Sequence, residues 1–152
     1  MKVLVDTNVV LDVLLKQAPF YNDSFVIFQL ADSKQISGVL AAVSLTNIFY
    51  LLRKAKINSA EVYEIMEKLT TLFTVAPVVE TTITEAMALR WKDFEDAVQF
   101  IAAKESKVEF IITRNKADYK TSEIPCMTPT EFIAHNADTF SKIGSITGKG
   151  IQ

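Results

Sequence analysis

Short apolar runs alternate along the chain with longer stretches in which apolar residues recur every three or four positions. The short runs predict buried strands, and they lie at residues 2–5, 35–40, 72–76 and 108–113. The longer stretches predict amphipathic helices at residues 10–15, 25–30, 44–54, 59–72, 82–90 and 93–102, and from Pro129 onward. Because strands that alternate with helices pair in parallel, this order predicts an α/β layered fold with a central, mostly parallel sheet of four or five strands.

The composition describes a folded domain with almost balanced charge. The chain has 152 residues, of which 49% are hydrophobic, and a formal net charge of −2. These values fit one domain, and they exclude a disordered chain and a polycationic nucleic-acid-binding protein. Three of the four glycines, Gly144, Gly148 and Gly150, lie close to the C-terminus. We therefore predict one domain over residues 1–140 and a flexible tail over residues 141–152.

Cysteine content and apolar run length indicate the compartment. The single cysteine, Cys126, has no partner for an intrachain disulfide or a thiolate metal site. Asp6 interrupts the first apolar run too early for a signal peptide, and no run approaches the roughly 20 residues of a membrane span. We expect a soluble, cytoplasmic protein with no membrane partner.

Four acidic residues lie where the predicted sheet would bind a ligand, beyond the carboxyl ends of its strands. Asp6 ends the first strand, Asp93 and Asp96 share one face at the start of a helix, and Asp118 follows the strand 108–113. Taken singly, each is explained by helix capping or by a turn. Taken together, their oxygens suit a hard divalent cation.

Several segments in order resemble PIN-domain proteins, close to the VapC-type toxin ribonucleases. They are the strand 1–5 followed by Asp6-Thr7-Asn8, the helix 44–54, the segment Asp93-Phe94-Glu95-Asp96-Ala97, the strand end Ile112-Thr113-Arg114-Asn115, and Thr128-Pro129-Thr130-Glu131-Phe132. Together they extend over essentially residues 1–135. The resemblance implies a three-layer α/β/α PIN-like fold, with a sheet sandwiched between helices.

The same resemblance implies an acidic pocket that binds Mg²⁺ or Mn²⁺ and a metal-dependent endonucleolytic cleavage of RNA. Carried over residue by residue, the metal ligands are Asp6 and Asp96, with Asp93 as an additional acid. Asp118 joins these three as a candidate catalytic residue. Asn8 would orient Asp6 or a bound water. The partners that it implies are a second copy of the chain, forming a dimer, and a small antitoxin protein.

Two positions depart from the family pattern. Asn47 stands in the third helix, and Asn115 follows Thr113-Arg114, where many members of the family carry carboxylates. An amide can bind a metal or a water, but it carries no charge and cannot act as a base. The alternative to an active ribonuclease is therefore a weakly active or non-catalytic PIN-like module that binds RNA or protein. Asp93 and Asp118 would restore the negative charge if they turn inward.

Substrate phosphates require cations and hydrogen-bond donors around this pocket. The candidates lie after the first strand, on the third helix, and at or after the end of the last strong strand, and they are Asn8, Asn47, Arg53, Thr113, Arg114, Asn115 and Lys116. The only histidine is His135, so an acid–base mechanism with two histidines is excluded. Phe20-Tyr21 and Phe49-Tyr50 are candidates for an exposed aromatic patch that contacts a protein partner.

Overall fold

The computed structural model describes residues 1–119 and 121–140, and the tail predicted at 141–152 lies outside these ranges. The strands are β1 (Lys2–Val5), β2 (Ser37–Ala41), β3 (Thr74–Ala76), β4 (Phe110–Ile112) and β5 (Cys126–Met127). The helices are α1 (Thr7–Leu14), α2 (Tyr21–Asp32), α3 (Ala42–Lys54), α4 (Ser59–Leu72), α5 (Glu80–Leu89), α6 (Phe94–Glu105) and α7 (Pro129–His135). A 3₁₀ turn, Lys116–Tyr119, connects β4 to β5.

The strands form one sheet in the order β3-β2-β1-β4-β5, and every neighbouring pair is parallel. β1 lies at the centre, with Leu4 opposite Val39 of β2 and Ile111 of β4. The chain proceeds outward from β1 to β3 and then crosses to the other side of β1 for β4 and β5. This reversal creates a crevice between the carboxyl ends of β1 and β4, where ligands of α/β proteins bind. The predicted α/β fold is confirmed.

Both faces of the sheet are covered by helices. Val3, Val5 and Ile112 face a core built with α1, α2, α3, α4 and α7. Leu4 and Ile111 face a second core, to which α5 and α6 contribute. Successive side chains of a strand point to opposite faces, so a strand covered on both sides must be apolar throughout. This is why the strands are continuous apolar runs in the sequence.

The structure adds one strand that the sequence pattern does not reveal. β5 contains only Cys126 and Met127, too few residues to show a hydrophobic period. It forms because the edge of β4 supplies partners, with Ile111 donating to the Pro125 carbonyl at 3.0 Å and Thr113 donating to the Met127 carbonyl at 2.9 Å. No helix in the described ranges is long and apolar enough to cross a membrane.

Gly38 of β2 is a position where only a hydrogen side chain fits. A Cβ at this position would lie 2.5 Å from Cδ1 and 2.7 Å from Cε1 of Phe73. Phe73 is itself buried and contacts Phe28 edge to face, with ring centroids 5.1 Å apart. The ring therefore lies directly on the backbone of β2 and cannot move away freely.

We expect Gly38→Ala to destabilise the protein by about 2 kcal/mol, because overpacking forces this ring to shift. The double variant Gly38→Ala, Phe73→Leu should be more stable than the sum of the two single changes predicts, with a coupling of about 1 kcal/mol. Urea denaturation of the four proteins measures both quantities. Strict additivity would show that the ring does not transmit the effect.

Candidate active site

The crevice between β1 and β4 is lined by polar side chains from several elements. Asp6 follows β1, and Thr113 follows β4, so the two lie on adjacent strand ends. The backbone confirms their proximity, since the Asp6 N–H donates to the Ile112 carbonyl at 2.9 Å. The start of α6 completes this edge of the sheet and contributes Asp93, Glu95 and Asp96.

Asp6 is buried and is held by three donors. Only 3% of the residue is exposed. Its Oδ2 accepts hydrogen bonds from the Thr113 hydroxyl at 2.6 Å and from the Asn8 amide at 2.9 Å, and its Oδ1 accepts one from the Gln99 amide at 3.1 Å. It precedes α1, but its side chain does not cap that helix. The capping explanation available from the sequence therefore does not apply to Asp6.

Burial and hydrogen bonding act on Asp6 in opposite directions. Burial raises the pKa of its carboxyl, and hydrogen bonds from Thr113 and Gln99 lower it without cancelling the effect. The charge of Asp93 raises this pKa further. A buried carboxylate of this kind gains from a nearby cation, because the cation compensates the charge that burial disfavours.

Glu95 is a site residue that the sequence reasoning missed. Its Oε1 accepts a hydrogen bond from the Thr7 hydroxyl at 2.9 Å, and its Oε2 accepts one from the Asn47 amide at 2.6 Å. Burial raises the pKa of Glu95, and the charge of Asp6 raises it further. Glu95 thus links the starts of α1 and α6 to α3. The available signal was Asn47 itself, since an amide that replaces a family carboxylate can donate to a carboxylate from elsewhere.

Asp96 is half-buried, and among the neighbouring charges that of Asp6 has the largest effect on it. Burial is the main reason that the pKa of Asp96 rises to about 7, and the charges of the neighbouring acids add to it. These neighbours are Asp6, Asp93, Asp118 and Glu95, in decreasing order of effect. These four neighbouring charges are all negative, and a cation bound among them would compensate them.

The other two predicted acids are more exposed. Asp93 caps α6, since its Oδ1 accepts from the Asp96 N–H at 3.0 Å. Asp118 is exposed in the 3₁₀ turn and reaches the site through its charge. Tyr119 follows it, and its hydroxyl lies 3.5 Å from Oδ1 of Asp96. Burial and the charges of Asp6 and Asp96 raise the pKa of Tyr119, so it remains a donor.

Hydrogen bonds fix the positions of Asn8 and Asn115 relative to the loop after β4. Asn8 uses both ends of its amide, since its nitrogen donates to Asp6 and its oxygen accepts from the Arg114 N–H at 3.3 Å. The Asn115 N–H donates to the Thr113 hydroxyl at 3.0 Å, while the residue is exposed. Asn115 is thus placed at the rim through its backbone.

The predicted phosphate-binding cations all have partners within the protein. Arg114 forms an ion pair with the fully buried Asp12, at 2.9 Å from Nε to Oδ2. Lys116 pairs with Glu131 at 2.6 Å. Arg53 donates to the Ile57 carbonyl at 2.8 Å, beyond the end of α3. Lys116 and Arg53 are exposed, whereas the guanidinium of Arg114 is partly covered.

We call Asp6, Asp93, Glu95, Asp96 and Asp118 the acidic cluster. Its negative charge favours a divalent cation, but its side chains are not arranged as a complete set of ligands. Within residues 1–119 and 121–140, no three Asp, Glu, His or Cys side chains are arranged to hold a metal ion. Mg²⁺, however, commonly uses one or two protein carboxylates and completes its shell with water and substrate phosphates. Two carboxylates in a uniformly negative environment, such as Asp6 and Asp96, meet that requirement.

Comparison with known proteins agrees with this architecture. A family model described as PIN domain matches residues 2–117. Ribonuclease VapC1 of Aquifex aeolicus (strain VF5) is 22% identical over 136 residues, which cover 86% of this chain and 92% of that protein.

Solved structures share the fold at low sequence identity. VapC20 of Mycobacterium tuberculosis, a Sarcin-Ricin loop cleaving toxin, is 17% identical, with a TM-score of 0.63 over 78% of this chain and 94% of its own. FitAcB of Neisseria gonorrhoeae is 17% identical, with a TM-score of 0.61 over 84% and 97%. VapBC2 of Rickettsia felis, bound to a promoter DNA fragment, is 14% identical, with a TM-score of 0.61 over 84% and 98%.

Burial of Asp96 and the negative charges around it predict a pH-dependent stability difference. A carboxyl whose pKa is raised on folding lowers the free energy of unfolding above its pKa in the unfolded chain, 3.8, and this cost grows until the pH reaches about 7. In the presence of a chelator at pH 8, the free energy of unfolding of Asp96→Asn should exceed that of the wild type by about 1 kcal/mol. This value allows for solvent screening of a half-buried group.

This difference should shrink as the pH falls and approach zero below 3.8, the ordinary pKa of an aspartate, because Asp96 is then protonated in both the folded and the unfolded wild type. Urea denaturation at both ends of this pH range measures it. Asp32→Asn, at an exposed acid that ends α2 on the opposite edge of the sheet, is the matched control. Equal stability of Asp96→Asn and the wild type at pH 8 would show that this cost is absent.

Proposed function

The chain belongs to the PIN domain family, and we propose that it is a metal-dependent endoribonuclease that acts as the toxin of a toxin–antitoxin pair. The observation that carries this proposal is the group of acids at one sheet edge, where Asp6, Glu95 and Asp96 share a uniformly negative environment. The name of the ribonuclease VapC1 and the presence of toxin–antitoxin complexes among the similar structures support it.

Asp6 and Asp96 are our candidates to hold Mg²⁺ or Mn²⁺, with Asp93, Glu95 or Asp118 completing the site directly or through water. A bound divalent ion polarises the scissile phosphate and lowers the pKa of a bound water. The protein side chains keep the ligands in place: Thr113, Gln99 and Asn8 fix the carboxylate of Asp6 before substrate arrives. Such preorganisation reduces the cost of assembling the site during the reaction.

Glu95 supplies the negative charge that the amide at position 47 lacks. Its Oε2 lies 2.6 Å from the amide nitrogen of Asn47, so a carboxylate charge lies directly beside the amide of α3. We therefore propose that Asn47 positions Glu95 rather than binding substrate itself. This pairing removes the main argument for a non-catalytic RNA- or protein-binding module, which we do not favour.

The exposed cations Arg53 and Lys116 remain our candidates for substrate phosphates. Their present partners are an exposed carbonyl and a surface carboxylate, Ile57 and Glu131. Exposed ion pairs contribute about 1 kcal/mol or less, so a phosphate displaces them at small cost. Arg114 differs, because releasing it would leave Asp12 charged and buried.

The partner surface that we propose lies on α3 and α4. Tyr50 and Tyr63 are 62% and 61% exposed, and Phe49 contacts Tyr63 with ring centroids 5.1 Å apart. Exposed aromatic side chains of this kind are typical of protein interfaces. A small antitoxin or a second copy of the chain, forming a homodimer, is the proposed occupant.

Cleavage of RNA tests the site assignment. With Mn²⁺ and structured RNAs, we expect cleavage that a chelator abolishes and that Asp6→Asn or Asp96→Asn reduces about 100-fold or more. Asp32→Asn, far from the crevice, should cleave like the wild type. Cleavage that survives both site substitutions would indicate another site or a contaminating nuclease. Retained RNA binding with no cleavage by the wild type would favour the binding module.

Metal binding tests the role of Glu95 independently of activity. We expect Glu95→Gln to weaken Mn²⁺ binding about 10-fold, measured by electron paramagnetic resonance of free Mn²⁺. The exchange variant Asn47→Glu, Glu95→Gln keeps one amide and one carboxylate in this contact, with the amide at position 95 as the donor. It should therefore recover most of the Mn²⁺ affinity. Unchanged affinity in Glu95→Gln would show that Asn47 and Glu95 are only a structural pair.

A further inference from the structure

A cavity of about 310 Å³ has none of the acids of the candidate metal site in its lining. It is bounded by the start of α2, the first turn of α7 and the loop after β4. Its walls include Phe20, Asp23, Arg114 and Pro129. Pockets that bind small planar molecules begin at about this volume.

Arg114 lies over the ring of Phe20 in the wall of this cavity. The Arg114 guanidinium carbon lies 4.2 Å from the centroid of the Phe20 ring. Phe20 is nevertheless 43% exposed, although it is a large apolar residue. Aromatic rings and arginine planes are the groups on which proteins stack unpaired nucleobases.

The local charge selects a neutral group over a phosphate. Arg114 is already paired with Asp12, whose other partner is the Ser24 hydroxyl at 2.9 Å. Asp12 is fully buried, so an anion that drew Arg114 away would leave this carboxylate without its cation, which disfavours a phosphate in the cavity. A nucleobase meets the requirement, since it is planar and uncharged.

Asp23 gives the pocket a preference among bases. Within the described residues, the structure assigns it one hydrogen bond, donated by the Thr130 hydroxyl to Oδ2. A carboxylate has about four acceptor positions and no donor. Guanine is the base that offers two adjacent N–H donors, N1–H and the 2-amino group, on its Watson–Crick edge.

The pocket lies one residue from the acidic cluster along the chain. Arg114 follows Thr113, whose hydroxyl donates to Asp6 at 2.6 Å. The Arg114 N–H also donates at 3.3 Å to Asn8, a partner of Asp6, so the same short loop borders both the cavity and the acids. We propose that Phe20 and Asp23 bind an unpaired guanine that flanks the scissile phosphodiester, an inference that rests on the proposed ribonuclease function.

Binding of labelled oligonucleotides tests this inference without cleavage. The protein used in this assay carries Asp96→Asn. This substitution prevents cleavage of the probe and removes a charge that repels phosphate. The probes are fluorescein-labelled single-stranded octamers of uridine with one central G, A, C or U, and fluorescence anisotropy gives the affinities. We expect the G-containing octamer to bind about 10-fold more tightly than the others.

Two substitutions separate stacking from hydrogen bonding. Phe20→Ala should reduce binding of the G-containing octamer to the level of octauridine. Asp23→Asn keeps an acceptor for Thr130 but loses the paired acceptors, so it should bring the ratio of the affinities for the G-containing octamer and octauridine to about 1. This ratio is the readout because the loss of one negative charge affects the binding of both octamers alike. Phe25→Ala is the control, because Phe25 is similarly exposed on α2, stacks on Tyr21 and lies outside the cavity.

The outcomes distinguish this inference from the proposed function. If the Asp96→Asn protein binds the four octamers equally, and adding Asp23→Asn changes nothing, the guanine pocket is overturned. This conclusion holds even if the wild type cleaves RNA. Selective binding that depends on Asp23 supports the pocket even if no RNA is cleaved, in which case the proposed ribonuclease function fails. If Phe20→Ala does not fold, Asp23→Asn alone decides, because its hydrogen bond to Thr130 is retained.

Discussion

The buried carboxylate of Asp6 is the constraint on which the rest of the site depends. Moving a charged group out of water costs several kcal/mol unless donors and opposite charge compensate it. The donors come from three elements: Asn8 is two positions from Asp6, whereas Gln99 and Thr113 are 93 and 107 positions away. They can converge only because β1 and β4 are adjacent parallel strands and α6 begins at the same edge. Asp6 thus fixes the positions of α6 and of the loop after β4.

Negative charge at this edge is determined by position in space rather than by position in the sequence. α3 presents the amide of Asn47 where a carboxylate is expected, and α6 presents Glu95 toward the same point. The hydrogen bond between them shows that either helix can reach it. Because a cation responds to the potential and to oxygen ligands, the element that contributes a carboxylate matters less than the place where it lies. A missing acid in one motif is therefore weak grounds for assuming a lost site.

The crevice and the cavity differ in the charge of the ligand that each favours. The crevice collects acids, and burial together with the charges of neighbouring acids raises the pKa of Asp96 to about 7, which favours a cation. The cavity beside it contains Arg114, but the buried Asp12 balances that charge, which favours a neutral planar group. Thr113 and Arg114 are consecutive residues, so one short loop serves both surfaces. The near-neutral net charge of −2 is the sum of these separate local environments.

The sequence by itself determined the α/β class, the four longer strands, and the acids that follow β1 and begin α6. These features depend on burial and on local spacing, which a single segment records. Only the tertiary structure decided that Glu95 contacts Asn47, that Asp12 pairs with Arg114, and that β5 forms at the edge of β4. Asp6 and its partner Thr113 are 107 positions apart, and Asp6 and Gln99 are 93 apart. No local pattern encodes such distances, because packing of the whole chain brings these side chains together.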